Sequence, residues 1–234
     1  METKQSTRIQ TSILNAAEKK ALVWMAERCP GWVTSDMLTF LGFVGAVIIG
    51  AGYALCGISY SFLWLASFGF IVNWFGDSLD GTLARVRNQQ RPNYGFFLDH
   101  NIDCINEAIM FIGIGISPLM YMSNALLVLA AYFMLSVYVY ISAHLKGEFK
   151  LTYAKLGPTE FRMIMIIINM LVFFITPIRE FSVEFALFGN EFVYTVFDFA
   201  AIIIFVFLII MYLASLFKDA KYYAALEPLK KNEK

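Results

Sequence analysis

The chain has 234 residues, enough for one domain, and 18 Lys+Arg balance 18 Asp+Glu to a formal net charge of zero. Hydrophobic residues make up 59% and charged residues only 15%, with a mean hydropathy of +0.64. Such a composition excludes a soluble globular domain and predicts a multi-span membrane protein; no nucleic-acid partner is expected. Cys29, Cys56 and Cys104 are an odd number without metal-ligand spacing, and read as small apolar fillers rather than a disulfide framework.

In chain order, Met1 to Gln10 is polar, and no cleavable leader is expected. Ser12 caps a predicted helix running to about Arg28. Leu14, Ala17, Ala21, Trp24 and Met25 share one face, and Glu18, Lys19 and Lys20 another. This reads as an amphipathic helix lying in the membrane interface, ended by Cys29-Pro30-Gly31. Six apolar spans follow, at about Met37–Leu55, Phe62–Phe75, Asp99–Met120, Ala125–Ala143, Arg162–Ile178 and Phe192–Phe217. The expected fold is therefore an all-α integral membrane protein. Residues 1–36 hold the tail and interfacial helix, 37–217 a six-helix catalytic domain, and 218–234 a charged tail.

Loop charges predict the orientation. Lys4, Arg8, Lys19, Lys20 and Arg28 precede span one, and Arg85, Arg87 and Arg91 lie between spans two and three. Lys146, Lys150, Lys155 and Arg162 lie between spans four and five; Lys218, Lys221, Lys230, Lys231 and Lys234 follow span six. Only Arg179 falls on the other side. By the positive-inside rule, both termini face the cytoplasm, as does any site between spans two and three.

That site is the chemical centre of the sequence. Asp77 and Asp80 are three apart and Asp99 and Asp103 four apart, so on helices each pair shares a face, with about 4.5 and 6 Å of rise between members. Two carboxylates about 6 Å apart repel by roughly 2–3 kcal/mol at an effective dielectric near 20. Divalent cations relieve this, and all-oxygen ligands suit Mg²⁺ or Mn²⁺. Ionisable groups at membrane depth usually mark a site. Gly81 and Gly95 flank the pairs and leave room for a ligand to approach the backbone.

Asp77, Asp80, Gly81, Ala84 and Arg85, then nine residues, then Gly95, Asp99 and Asp103, resemble the signature of the CDP-alcohol phosphotransferases. The motif spans under thirty residues, but its eight positions at fixed offsets make it specific. The resemblance implies a metal-dependent enzyme, a transferase of substituted phosphate groups, in which an alcohol attacks a CDP ester and CMP leaves. It implies that Asp77, Asp80 and Asp99 bind metal in a two-ion centre, with Asp103 shared between a second ion and the general-base role. On physical grounds alone the base is either Asp99 or Asp103. Gly81, Ala84 and Gly95 become close-approach positions along the nucleotide. Arg85 becomes a phosphate ligand, for which its planar fork is suited. Thr39 is a further nucleotide-side candidate, although Ser35-Asp36 replaces the Pro-Asn usual before it.

Lys146, Lys155 and Arg162, with Glu107 one turn beyond Asp103, are candidates for the acceptor pocket. The expected donor is CDP-diacylglycerol and the acceptor a small polar alcohol, in phospholipid biosynthesis. Gly157-Pro158-Thr159-Glu160 resembles the aminoalcohol branch, which keeps open transfer of phosphoethanolamine or phosphocholine to a lipid alcohol. Expected partners are thus a CDP-activated lipid or alcohol, the acceptor, membrane lipids and, by resemblance, a second copy in a homodimer. A rival of another class is a divalent-cation transporter, but no polar track continues to the far side. Asp198 reads as structural.

Overall fold

The computed structural model describes residues 7–9, 15–146, 148–150, 157–187 and 189–228. Its elements are β1 (Thr7–Ile9), α1 (Asn15–Arg28), α2 (Ser35–Ala54, prolonged by a 3-10 turn over Leu55–Gly57), α3 (Phe62–Val86), α4 (Pro92–Ile116) and α5 (Met122–Lys146). Then come β2 (Glu148–Lys150), α6 (Pro158–Phe174), α7 (Thr176–Arg179), β3 (Ser182–Leu187), β4 (Asn190–Thr195) and α8 (Val196–Leu226). β1 pairs in parallel with β2, and β3 with β4 as an antiparallel hairpin.

The most extensive contact joins α2 to α3, and glycine makes it possible. Gly42, Gly45 and Gly52 of α2 face α3, and Gly69 and Gly76 of α3 face back. A Cβ on Gly69 would lie 2.7 Å from the Ile49 nitrogen, and one on Gly52 2.5 Å from that of Ala66. Small residues let helix backbones approach in a bilayer, where packing replaces the hydrophobic effect as the driving force. Gly113 of α4 meets Gly50 of α2 in the same way.

Two apolar clusters sit at opposite ends of this pair. At one end Ile49, Tyr53, Leu63, Phe70, Ile114, Leu119 and Val172 pack together. Nearby, the Tyr53 hydroxyl donates to Asn169 Oδ1 at 3.0 Å, and Asn169 Nδ2 donates to Ser67 Oγ at 3.1 Å, tying α2, α6 and α3. At the other end Leu22 and Ala26 of α1 pack on Leu38, Leu79 and Leu83. α1 is pinned by Glu18, whose Oε1 accepts from Trp74 Nε1 at 2.8 Å and from Thr159 Oγ1 at 2.6 Å. Glu18, on the polar face of α1, thereby joins α1 to α3 and α6. The packed face of α1 is that of Leu22 and Ala26, while Ala17, Ala21 and Trp24 stay exposed. Ser12 and Leu14 lie outside the described residues.

Several expected boundaries move. Span two does not stop near Phe75; α3 continues to Val86, so Asp77 and Asp80 share its C-terminal half, as their spacing predicts. Span three starts seven residues early because Pro92 opens α4, where its missing N–H is no loss. Span five ends at Phe174 rather than Ile178, with Pro177 in the first turn of the separate α7. Span six starts at Val196 because residues up to Thr195 form the hairpin. It then runs to Leu226, through the first part of the expected tail.

The start of α8 is held by Asp198, which is fully buried. Its carboxylate accepts from Tyr121 N and Asn124 Nδ2 at 2.8 Å each, and from Thr195 N at 3.0 Å. The structural reading of Asp198 thus acquires specific partners at the start of α5 and just before α8.

Three stability outcomes follow. Gly45→Leu destabilises the detergent-solubilised protein by about 1–3 kcal/mol or more, because the side chain meets α3 backbone. Gly81→Ala and Gly95→Ala, with no backbone in the way, leave the melting temperature unchanged or higher. Asp198→Ala strands one buried and two partly buried donors and costs on the order of 2–3 kcal/mol, read from the same melting curves.

Candidate metal and phosphotransfer centre

The C-terminal half of α3, the N-terminal half of α4, and the first turns of α2 and α6 meet at one end of the molecule. On α3, Asn73 and Asp77 are one turn apart; on α4, Asp99 and Asp103 are likewise. Asp77, Asp99 and Asp103 can each present a carboxylate oxygen within 4.8 Å of the others. All three are partly buried. A trio of hard oxygen donors at this separation fits a divalent cation of the Mg²⁺ or Mn²⁺ type.

Asp80 is not part of that trio. Its Oδ2 accepts from Thr39 Oγ1 at 2.6 Å and its Oδ1 takes the Gly81 N–H. The Ser35 hydroxyl donates to the Asp80 carbonyl at 3.0 Å. The start of α2 is thus fastened to the acidic stretch of α3 by Ser35 and Thr39, and Thr39 touches an aspartate directly. Ser35 was not a sequence candidate, although a hydroxyl at the helix start was its available signal.

α6 brings in Arg162. Pro158 opens the helix, and Glu160 accepts the Gly157 N–H at 2.9 Å, closing its first turn. That places Arg162 against α3, where Nη2 donates to Asp77 Oδ2 at 2.6 Å and Nε to Asn73 Oδ1 at 2.9 Å. Asn73 in turn donates through Nδ2 to the Gly42 carbonyl of α2 at 2.9 Å. Asn73 went unnoticed in the sequence, yet an amide four residues before Asp77 inside an apolar run is a readable signal. Gly157-Pro158-Thr159-Glu160 has a local structural explanation, since Thr159 binds Glu18 and Glu160 caps the helix.

Glu107 lies one turn deeper than Asp103 and is hydrogen-bonded by the Tyr132 hydroxyl of α5, a residue the sequence did not single out. Arg162 is close enough to act on the charges of both Asp103 and Glu107. Gly81 and Gly95 have open space where a Cβ would go, apart from Arg85 Nη1 at 3.4 Å from that of Gly81. Packing within the protein therefore does not require glycine at either position. Ala84 is half-buried on α3, and Arg85 Nη2 donates to Thr82 Oγ1 at 2.9 Å.

Arg87 and Arg91, in the loop after α3, have other attachments. Arg87 donates to the carbonyls of Cys29, Pro30 and Val33, closing the α1–α2 connection, and Arg91 pairs with Asp36. Lys146 ends α5, and Lys155 lies outside the described residues. Among the described residues, Arg162 is the acceptor-side candidate cation that reaches an aspartate of the trio.

A family model described as CDP-alcohol phosphatidyltransferase matches residues 32–215, which contain every aspartate of the site. Among curated relatives, the chain is 33% identical over 84 residues to the phosphatidylinositol phosphate synthase of Cutibacterium acnes, covering 36% of this chain and 38% of that protein. It is 40% identical over 81 residues to the archaetidylinositol phosphate synthase of Methanothermobacter thermautotrophicus, covering 34% of this chain and 38% of that one. Each match thus spans well under half of the relative's length. Among the described residues, four helices are long and apolar enough to cross a membrane: α2 with its 3-10 extension, α3, α5 and α8. With a family match over most of its length, this integral membrane chain belongs to the CDP-alcohol phosphatidyltransferase family.

Proposed function

We propose that the protein transfers a phosphatidyl-type group from a CDP-diacylglycerol-like lipid to a small polar alcohol, releasing CMP. The observation that carries this reading is the Asp77, Asp99 and Asp103 trio, set beside glycines that packing does not need, inside the family match. Asp77, Asp99 and Asp103 would hold the divalent ion, with Asp80 beside them and Thr39 orienting it; a second ion is part of the proposal. Bound there, such an ion neutralises the pyrophosphate and steadies the departing nucleotide.

The chain's own residues do the rest. Asp103 takes the proton from the acceptor hydroxyl, whose oxygen forms a bond to the phosphorus distal to cytidine. The bond from that phosphorus to the bridging oxygen breaks, and the electron pair leaves with CMP. Open backbone at Gly81, Ala84 and Gly95 admits the nucleotide, and Arg85 contacts its phosphates.

Both relatives are named for synthesis of a lipid inositol phosphate. That favours an acceptor that is itself a phosphorylated polyol, with Arg162 as its cation and Glu107 toward its hydroxyls. The aminoalcohol reading is less favoured because the Gly157–Glu160 stretch has a capping role.

The proposed membrane arrangement is six spans, adding α4 and α6 to the four apolar helices. α4 carries Asp99, Asp103 and Glu107, and the 17 residues of α6 suffice for a thin crossing. The catalytic domain is 37–217, flanked by 1–36 and the tail 218–234. The exposed stripe of Ala17, Ala21 and Trp24 suits α1 lying on the interface. The loop charges support a cytoplasmic site and cytoplasmic termini, with Arg179 opposite.

The decisive experiment gives purified protein a panel of lipid and water-soluble CDP esters with free and phosphorylated alcohols, scoring CMP. Consumption of a lipid CDP ester supports the reading; uptake of Mn²⁺ into proteoliposomes without CMP formation overturns it in favour of a transporter. Chelation with EDTA stops CMP release and Mg²⁺ or Mn²⁺ restores it. Asp103→Asn lowers turnover by about 10²–10⁴-fold while donor binding persists. Asp77→Asn instead weakens metal-dependent donor binding, measured by calorimetry.

A further inference from the structure

The Arg162 side chain is only 13% exposed and that of Asp77 24% exposed, and they meet at 2.6 Å. Asp77 is also one of the three carboxylates close enough to share a cation. The third guanidinium nitrogen, Nη1, is buried and has no hydrogen-bond partner among the described residues. The same residue therefore neutralises a metal-site carboxylate and carries an unspent donor.

We propose that Arg162 is a displaceable counter-ion: it and a divalent cation compete for Asp77, and the cation's arrival frees the guanidinium for an anionic ligand. This rests on the metal-site reading above. Two cations held within a few ångströms at low effective dielectric repel strongly. A fixed guanidinium on Asp77 must therefore weaken metal binding, whichever carboxylate oxygen the metal takes. An anion that draws Arg162 away strengthens metal binding, and by linkage the metal strengthens anion binding by the same factor. Asn73 supplies the hinge: it holds Nε while Nη2 exchanges Asp77 for a new partner.

The opposite geometry gives the opposite sign. If Arg162 serves only to orient Asp77 as a ligand, removing it loosens the metal. The test measures free Mn²⁺ by electron paramagnetic resonance over the detergent-solubilised full chain, with sulfate as the oxyanion probe. Arg162→Gln is expected to bind Mn²⁺ about tenfold more tightly than wild type. Arg162→Lys, which keeps the charge, stays close to wild type. Sulfate tightens Mn²⁺ binding to wild type and no longer does so in Arg162→Gln. Unchanged or weaker Mn²⁺ binding by folded Arg162→Gln overturns the competition while leaving the metal site intact. If the glutamine variant does not fold, absence of the sulfate effect in wild type overturns it alone. If wild type binds no Mn²⁺ at all, the metal-site reading falls and this inference with it.

Discussion

The close approach of α2 to α3 is the constraint on which everything else in the molecule depends. Glycines at matching positions let the two backbones touch, and two polar fastenings then become possible between them. Thr39 and Ser35 reach Asp80, and the Gly42 carbonyl receives Asn73. Larger residues would push the helices apart and put these groups beyond hydrogen-bond range. The apolar packing is thus what gives the acidic face of α3 a defined position relative to α2.

Charge is then distributed in layers. Asp80 is satisfied by a hydroxyl and a backbone amide, Asp77 by a guanidinium, and Glu107 by a phenol. Asp99 and Asp103 face Asp77 across the helix junction. Carboxylates so close together persist in a folded protein only when each has a donor or cation to offset the repulsion. Arg162 is central because it reaches Asp77 and Asn73 together, and so ties α6 to the α3 side of the centre.

The acidic motif was legible because its spacing is local: four aspartates at helical offsets announce both their shared face and their chemistry. The six long helices were legible from apolar runs, but their ends were not. Pro92 moved the start of α4 outward, and the hairpin ending at Thr195 delayed the start of α8 to Val196. Arg162 was flagged among four loop cations, but nothing in the sequence distinguished it from neighbours serving orientation. Its aim depends on where α6 begins, and that depends on Glu160 closing the first turn. Glu18 and Asn73 were missed for a similar reason. Their partners lie 56 and 31 residues away, and no local pattern encodes such pairings.

The indole of Trp74 has a practical side. Of the four tryptophans, Trp24, Trp32 and Trp64 are exposed, whereas Trp74 is partly shielded and hydrogen-bonded to α1, three residues before Asp77. The protein therefore carries a built-in fluorophore at the seam between its first helix and its acidic centre. Replacing the other three tryptophans by phenylalanine would leave one emission signal reporting that seam, without any attached dye.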